Sequence, residues 1–465
     1  MAAKKKSSSA NKTTKKVVKK TTKKVVKVAK KDPKILIIVL VVVLVLAGIG
    51  VGGYFLYKYL NPSMQFKLNG SARTYVALHG EYKEKGAIAT YNGKDVSNNI
   101  QTTLYNNKDE IVTGINTEVE SDYYVEYKID YQKMKKSLKR TLMVRDTVDM
   151  SINFLELGNE FTGDSTFIKA GEVDILIDAG SRNASAGTIS EFIDTYCDDG
   201  KLEYVIATHA HQDHIAGFVG TNTAKGIFDK YEVETIIDFS LTNSDTKLYK
   251  DYVSKRDAEV KAGAKHYTAI ECVKEQNGAT KIFDIAPGIE MEILYQEFYE
   301  KKTSDENDYS VCTMFTQGEN HYLFTGDLEK DGEKSLVNSN DLPTVELFKG
   351  AHHGSYTANT DELLSVIKPE VVCICCCAGS TEYTKTPENT FPAQAAINRL
   401  GKYTDKIYVT TVTSSNASKH ESLNGNITFY SIKGKKNDYT VTGSNNSTIL
   451  KDTEWFKANR TWPNS

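Results

Sequence analysis

The chain is poor in the features that would place it among small secreted scaffolds or polyanion-binding proteins. Its seven cysteines are odd in number and show no framework spacing, which excludes a small domain stapled by disulfides. Excess positive charge is missing too. The formal net charge is -2 over 465 residues, so the bulk of the protein is not a polyanion binder by charge alone. Acidic residues are almost absent from residues 1–34, where Asp32 stands alone among many lysines, which leaves the remainder distinctly acidic. Charge disappears altogether over residues 35–57.

That uncharged run, rich in Ile, Leu and Val and then in Gly, is long enough as a helix to cross a ~30 Å hydrocarbon layer. It exceeds the ~7–15 apolar residues of a cleaved signal peptide, and we read it as an uncleaved transmembrane signal anchor. The lysines before it place the N-terminus in the cytoplasm and the rest outside, at the cell membrane. Residues 1–34 form a low-complexity, disordered cytoplasmic tail, suited to anionic lipid contact.

Beyond the anchor, residues 62–146 read as short strands joined by turns. Tyr123, Val125, Tyr127 and Ile129 alternate with Tyr124, Glu126 and Lys128, the period of a half-buried strand. From Met150 onward, apolar strands at 173–179 and 203–208 alternate with helical spacing at 184–197 and 359–367, an α/β layered architecture. Cys373, Cys375, Cys376 and Cys377 lie in one apolar run from Val371 to Ala378, read as a buried strand with reduced thiols. The assigned regions are the tail at 1–34, the anchor at 35–57, a β-domain at 62–146, a hydrolase domain at 150–445 and a C-terminal extension at 446–465.

The chemistry concentrates in His209-Ala210-His211-Gln212-Asp213-His214. Three imidazoles and a carboxylate in one short loop after the strand around 203–207 form a donor cluster suited to zinc, manganese or iron. Such an ion lowers the pKa of a bound water from ~15.7 towards ~7, which makes it a nucleophile for phosphorus or carbonyl carbon.

This HxHxDH run resembles the signature of the metallo-β-lactamase superfamily. Three further segments recur in the family's order: residues 173–180 ending in Asp178-Ala179-Gly180, Thr325-Gly326-Asp327, and Ala351-His352-His353-Gly354-Ser355. The resemblance implies an αββα sandwich holding one or two divalent ions, zinc or manganese. His209 and His211 would serve one site, Asp213 and His214 the other, and Asp327 would bridge them. Either His352 or His353 would supply the last ligand. His352 is preferred as the ligand, with His353 and Asp213 as catalytic groups. Asp178 would brace the metal loop. Asp164, Ser165, Asn307, Asp308 and Ser355 are candidates for substrate positioning or for support of the ligands.

The third histidine that many relatives give to the first site is missing. Only His266 and His321 fall in the interval. His321 lies six strand residues before Asp327, some ~20 Å away at ~3.3 Å per residue. Water or Asp308 would then complete that site. The gap, with Gly163-Asp164-Ser165-Thr166, Asn307-Asp308-Tyr309-Ser310 and Lys349, resembles the hydrolase domain of the ComEC competence proteins and its stand-alone relatives. Phosphorylcholine esterases share the set. One anchor here replaces the multi-helix channel, so no translocation role carries over. Residues 76–144 resemble bacterial immunoglobulin-like domains and imply a small all-β sandwich. The expected activity is metal-dependent hydrolysis of a phosphoester, DNA or a cell-envelope polymer. The alternatives are an acyl, lactone or β-lactam hydrolase and a non-catalytic surface binding protein.

Overall fold

The computed structural model describes residues 62–414 and 419–463. The tail and the anchor expected at 1–34 and 35–57 lie outside the described residues. Among the described residues no helix is long and apolar enough to cross a membrane.

Two compact units are present. The smaller comprises residues 62–69, 85–102 and 127–138 of the described chain. Its strands Met64–Leu68, Ala87–Tyr91 and Lys94–Asp95 form an antiparallel sheet over a small core of Met64, Ala89, Val96 and Ile129. The larger unit holds the rest, including residues 70–84, 103–126 and 139–146, so the unit boundary does not fall at residue 146. In the larger unit Arg73–Ala77 pairs in parallel with residues 141–145. The alternation read at 123–129 is observed: Tyr123, Val125, Tyr127 and Ile129 are buried and Lys128 is exposed.

From Met150 to Gly443 the larger unit builds two eight-stranded mixed sheets. In the first, Val173–Ile177, Lys201–Ala207, Glu232–Asp238 and Lys265–Thr268 run parallel. Thr166–Ala170, Met150–Phe154, Ile427–Ser431 and Tyr439–Gly443 extend it antiparallel. In the second, Asn320–Phe324, Leu347–Lys349, Val371–Ala378 and Ile407–Thr413 are parallel. The inner faces meet through aromatic pairs such as Phe154 with Phe324 and Tyr322 with Phe429. Apolar side chains of both sheets join in one core, to which the helices Ser185–Tyr196, Gln212–Val219 and Lys247–Ala262 contribute. A second core lies between the second sheet and the helices Lys330–Ser339, Asp361–Ile367 and Gln394–Leu400.

Val371–Ala378 is a fully buried strand, as read, and its cysteines are free. Because side chains alternate across a strand, Cys373 enters the first core and Cys376 the second, so this CxxC does not work as a pair. The C-terminal extension packs on the second core through Leu450 and Phe456. Its Arg460 holds the loop before Gln394 by donating to the Thr390 and Pro392 carbonyls at 2.7 and 3.0 Å.

Candidate metal centre

Asp178, the His209–His214 loop, Asp327 and His352-His353 each follow a strand that pairs in parallel, at the carboxyl edge where ligands collect in α/β sheets. Asp178 follows Val173–Ile177 with a left-handed backbone (φ 58). Its carboxylate accepts from the Thr208 amide and hydroxyl, both at 2.8 Å, and from His214 Nδ1 at 2.7 Å. The strand-end loop lies hard against the metal loop: a Cβ on Gly180 would fall 1.4 Å from the Asp213 carbonyl oxygen, so only glycine fits there. These contacts tie the Asp178 carboxylate to both ends of the loop from Thr208 to His214. With Nδ1 committed to the carboxylate, His214 presents Nε2 as its free donor.

Four buried side chains converge: Asp164, His214, Asp327 and His353, each offering an atom within 4.8 Å of the others. Asp327 Oδ2 is 3.0 Å from His214 Nε2 and 3.1 Å from His353 Nε2. Lys349, itself buried, ion-pairs with Asp164. His214 Nε2, His353 Nε2 and Asp327 Oδ1 are buried and find no hydrogen-bond partner. Each such orphan costs about 1–3 kcal/mol unless something satisfies it, and a nitrogen and oxygen donor set of this kind fits a divalent cation. Burial works against charge on His214 and His353, yet the carboxylates beside them, Asp327 first, push both well above the ordinary imidazole range. That negative field is the one that draws a cation in. His209 is the reverse case. Burial and the neighbouring His214 and His211 hold it well below the usual range, as a neutral imidazole.

The remaining predicted residues arrange around this set. His209 Nε2 is 3.0 Å from His211 Nδ1, and His211 caps the helix Gln212–Val219. Asp213 Oδ2 lies 3.4 Å from His353 Nε2. Despite burial, His353 and His214 hold the Asp213 carboxyl below its ordinary range. Ser355 lines the cavity and shares a hydrogen bond with Thr357 at 2.8 Å. Ser165 is wholly buried, with its carbonyl accepting from the Leu155 amide, and it does not line the cavity.

Three expected residues are placed differently from the reading above. His353, and not the preferred His352, lies in the buried donor set. Both have left-handed backbones, but His353 Nδ1 donates to the Cys375 carbonyl at 2.9 Å and leaves Nε2 in the four-residue set. His352 Nδ1 instead faces Glu329 Oε1 at 3.0 Å, and its Nε2 is 3.9 Å from Asp327. Asp164, read as a positioning residue, stands inside the donor set. Asp308 does not complete the first site. Its Oδ1 accepts from the Glu329 amide at 3.3 Å, and burial, then Asp305, raises its pKa to about 7. His266 is likewise engaged elsewhere, 2.8 Å from Asp238 Oδ1.

A cavity of about 700 Å³ opens over the centre, walled by His211, Asp213, Asp327 and His352. Sequence reasoning missed the loop that closes one side. Tyr383 donates to Asp213 Oδ2 at 2.6 Å and packs on Phe391, whose ring lies 5.7 Å from those of both His352 and His353. Glu382 on this loop ion-pairs with Arg182 beyond the Asp178 strand. No motif surrounds these residues, and only the fold brings them to the site.

Residues 158–220 match the family model described as "Metallo-beta-lactamase superfamily". The chain is 26% identical over 176 residues to ComE operon protein 3 of Bacillus subtilis (strain 168), covering 37% of this chain and 20% of that protein. It is 29% identical over 110 residues to Recombination protein 2 of Haemophilus influenzae, covering 24% of this chain and 13% of that protein. It thus spans a fifth or less of the length of these curated relatives. Among solved structures it resembles MEM-A1, a subclass B3 metallo-beta-lactamase from a soil metagenome library, at 12% identity and a TM-score of 0.27 over 43% of this chain and 79% of that one. The sequence matches, with the ordered motifs, carry the likeness. Residues 158–220 thus carry a match to the metallo-β-lactamase superfamily, and the chain is similar to part of ComE operon protein 3 and of Recombination protein 2.

Proposed function

We propose that this protein is a metal-dependent phosphodiesterase that acts on DNA or another phosphoester polymer outside the cell. The observation that carries the reading is the buried donor set of His214, Asp327 and His353 with Asp164, whose Asp327 lines a solvent cavity. When bound there, zinc or manganese supplies Lewis acidity and an acidic water. Asp213, aimed into the cavity and held by Tyr383, orients the nucleophile. Tyr383 and Ser355 line the wall of the cavity over this set. The similarity to a protein named for recombination favours nucleic acid as the phosphoester.

The apolar run at 35–57 serves as the membrane anchor, with the N-terminus cytoplasmic and the hydrolase outside. The smaller unit, built from parts of residues 62–138, serves as a spacer or binding module. Protease added to intact cells should then degrade the hydrolase region, and its survival would refute the orientation.

For the activity, the full chain is stripped with chelator, reloaded with zinc or manganese, and assayed on single-stranded DNA and bis(p-nitrophenyl) phosphate beside a lactone and a β-lactam. Metal-dependent cleavage of the phosphodiesters supports the reading. Turnover of only the acyl substrates replaces it with an acyl hydrolase. No turnover of any favours a non-catalytic surface role.

A further inference from the structure

We propose that Asn307, through its side-chain Oδ1, is the third protein donor of the His209–His211 half of the metal centre, in the place of the missing histidine. The proposal rests on the metal-dependent reading above and names a ligand for it.

With Asp327 shared between the two halves, His209 and His211 leave this half one protein donor short of the four that such ions commonly take. The other candidates are engaged elsewhere: His266 with Asp238 at 2.8 Å, and Asp308 with the Glu329 amide at 3.3 Å. Asn307 is free in the required sense. It is 7% exposed, and it lines the same cavity as His211 and Asp327. Its Oδ1 is buried with no hydrogen-bond partner. The amide orientation is set by its other end, because Nδ2 donates to Glu329 Oε1 at 3.1 Å. A carboxylate oxygen there accepts, so it selects the nitrogen and leaves the amide oxygen as the unused acceptor.

The chain trace brings the segment that carries Asn307 against the loop of the two histidines. Asn307 begins the 3-10 turn Asn307–Tyr309. On one side of it Glu306 accepts from the Ala210 amide at 3.3 Å. On the other, Ser310 Oγ lies 3.4 Å from His209 Nδ1 and the Val311 amide donates to the Thr208 carbonyl at 2.9 Å. The segment is therefore pinned to residues 208–210 at both ends, with Asn307 between the pins. An amide oxygen is a harder donor than imidazole nitrogen. It shifts this half of the centre towards manganese and away from the softer choices.

The test is manganese titration of the chelator-stripped full chain by calorimetry and electron paramagnetic resonance, with bound metal counted by elemental analysis. Wild type should hold two ions per chain. Asn307→Ala should keep one and bind the second at least tenfold more weakly, with the spin–spin signature of the pair lost. Asn307→Asp combined with Glu329→Gln keeps an oxygen at the same place and a donor facing it, and should restore both. It also separates ligand loss from misfolding, as does an unchanged circular dichroism spectrum of Asn307→Ala. A wild type holding a single ion, or an Asn307→Ala holding two with unchanged affinity, overturns this assignment while the metal-dependent reading stands. A wild type that binds no ion overturns both.

Discussion

His214 is held between two carboxylates: Nδ1 donates to Asp178 Oδ2 at 2.7 Å and Nε2 faces Asp327 Oδ2 at 3.0 Å. One acid fixes the ring, and the other would share a bound ion with it. Asp178→Ala should therefore weaken metal binding by about 10–100-fold without touching a ligand. It should also cost about 1–3 kcal/mol of stability, because the Thr208 amide and hydroxyl lose their acceptor. Competition with a chromophoric chelator measures the first effect and thermal melts the second. Unchanged affinity would mean that Asp178 merely supports the fold.

The adjacent histidines should separate cleanly. His353→Ala removes a buried donor of the four-residue set and should lower the metal content measured by elemental analysis. His352→Ala removes a ring that faces Glu329 and the cavity. It should leave the content of the set intact and act on substrate binding, seen as a raised KM. The opposite pattern would restore His352 as the ligand.

Tyr383→Phe deletes only the hydroxyl that donates to Asp213. If that hydroxyl aligns Asp213 and meets the substrate, kcat should fall about 10²-fold with metal content unchanged. Equal losses of metal and rate would instead assign Tyr383 to metal retention.

Stability should carry a pH signature from a pair remote from the centre. Burial, partly offset by Lys169, raises Asp174 to about 6. Burial and the Asp174 charge raise Glu203 to about 7, although the Asp174 amide donates to it. Both folded values exceed the ordinary ~4 of an unfolded carboxyl, so the folded state binds more protons between about pH 4 and 7. The pair's contribution to stability is then full below pH 4 and is lost as pH rises towards 7. The double change Asp174→Asn with Glu203→Gln should flatten the melting temperature across that window. A slope equal to wild type would contradict the shifts.

Much of the site could be read from residue order because metal chemistry needs rare donors at short spacing. His209 to His214 lie in one loop, and Asp178 and Asp327 end apolar strands whose pattern is visible in the chain. The choice between His352 and His353 was not readable, since it depends on which ring the left-handed turn directs beneath Phe391 towards the Cys375 carbonyl. Asp164 was legible only as a candidate for positioning or support, because its place against His353 and Lys349 depends on distant strands. Tyr383 lies 170 positions from the Asp213 it touches, a separation that no local pattern spans. The strand Ser121–Tyr131 was legible from its period, whereas the unit boundary was not, because it depends on contacts between distant strands.

The central claim is that imidazoles and acids from separate strand ends form one ion-binding catalytic centre. Elemental analysis of the purified full chain, run beside a phosphodiesterase assay on the same sample and on Asp213→Ala and Asp327→Ala, tests it most directly. The account predicts stoichiometric zinc or manganese, phosphodiester cleavage abolished by chelator and restored by metal, and metal content and rate both reduced in the Asp327 variant. A wild-type protein that retains no transition ion, or that cleaves equally well with Asp327 replaced, would contradict it.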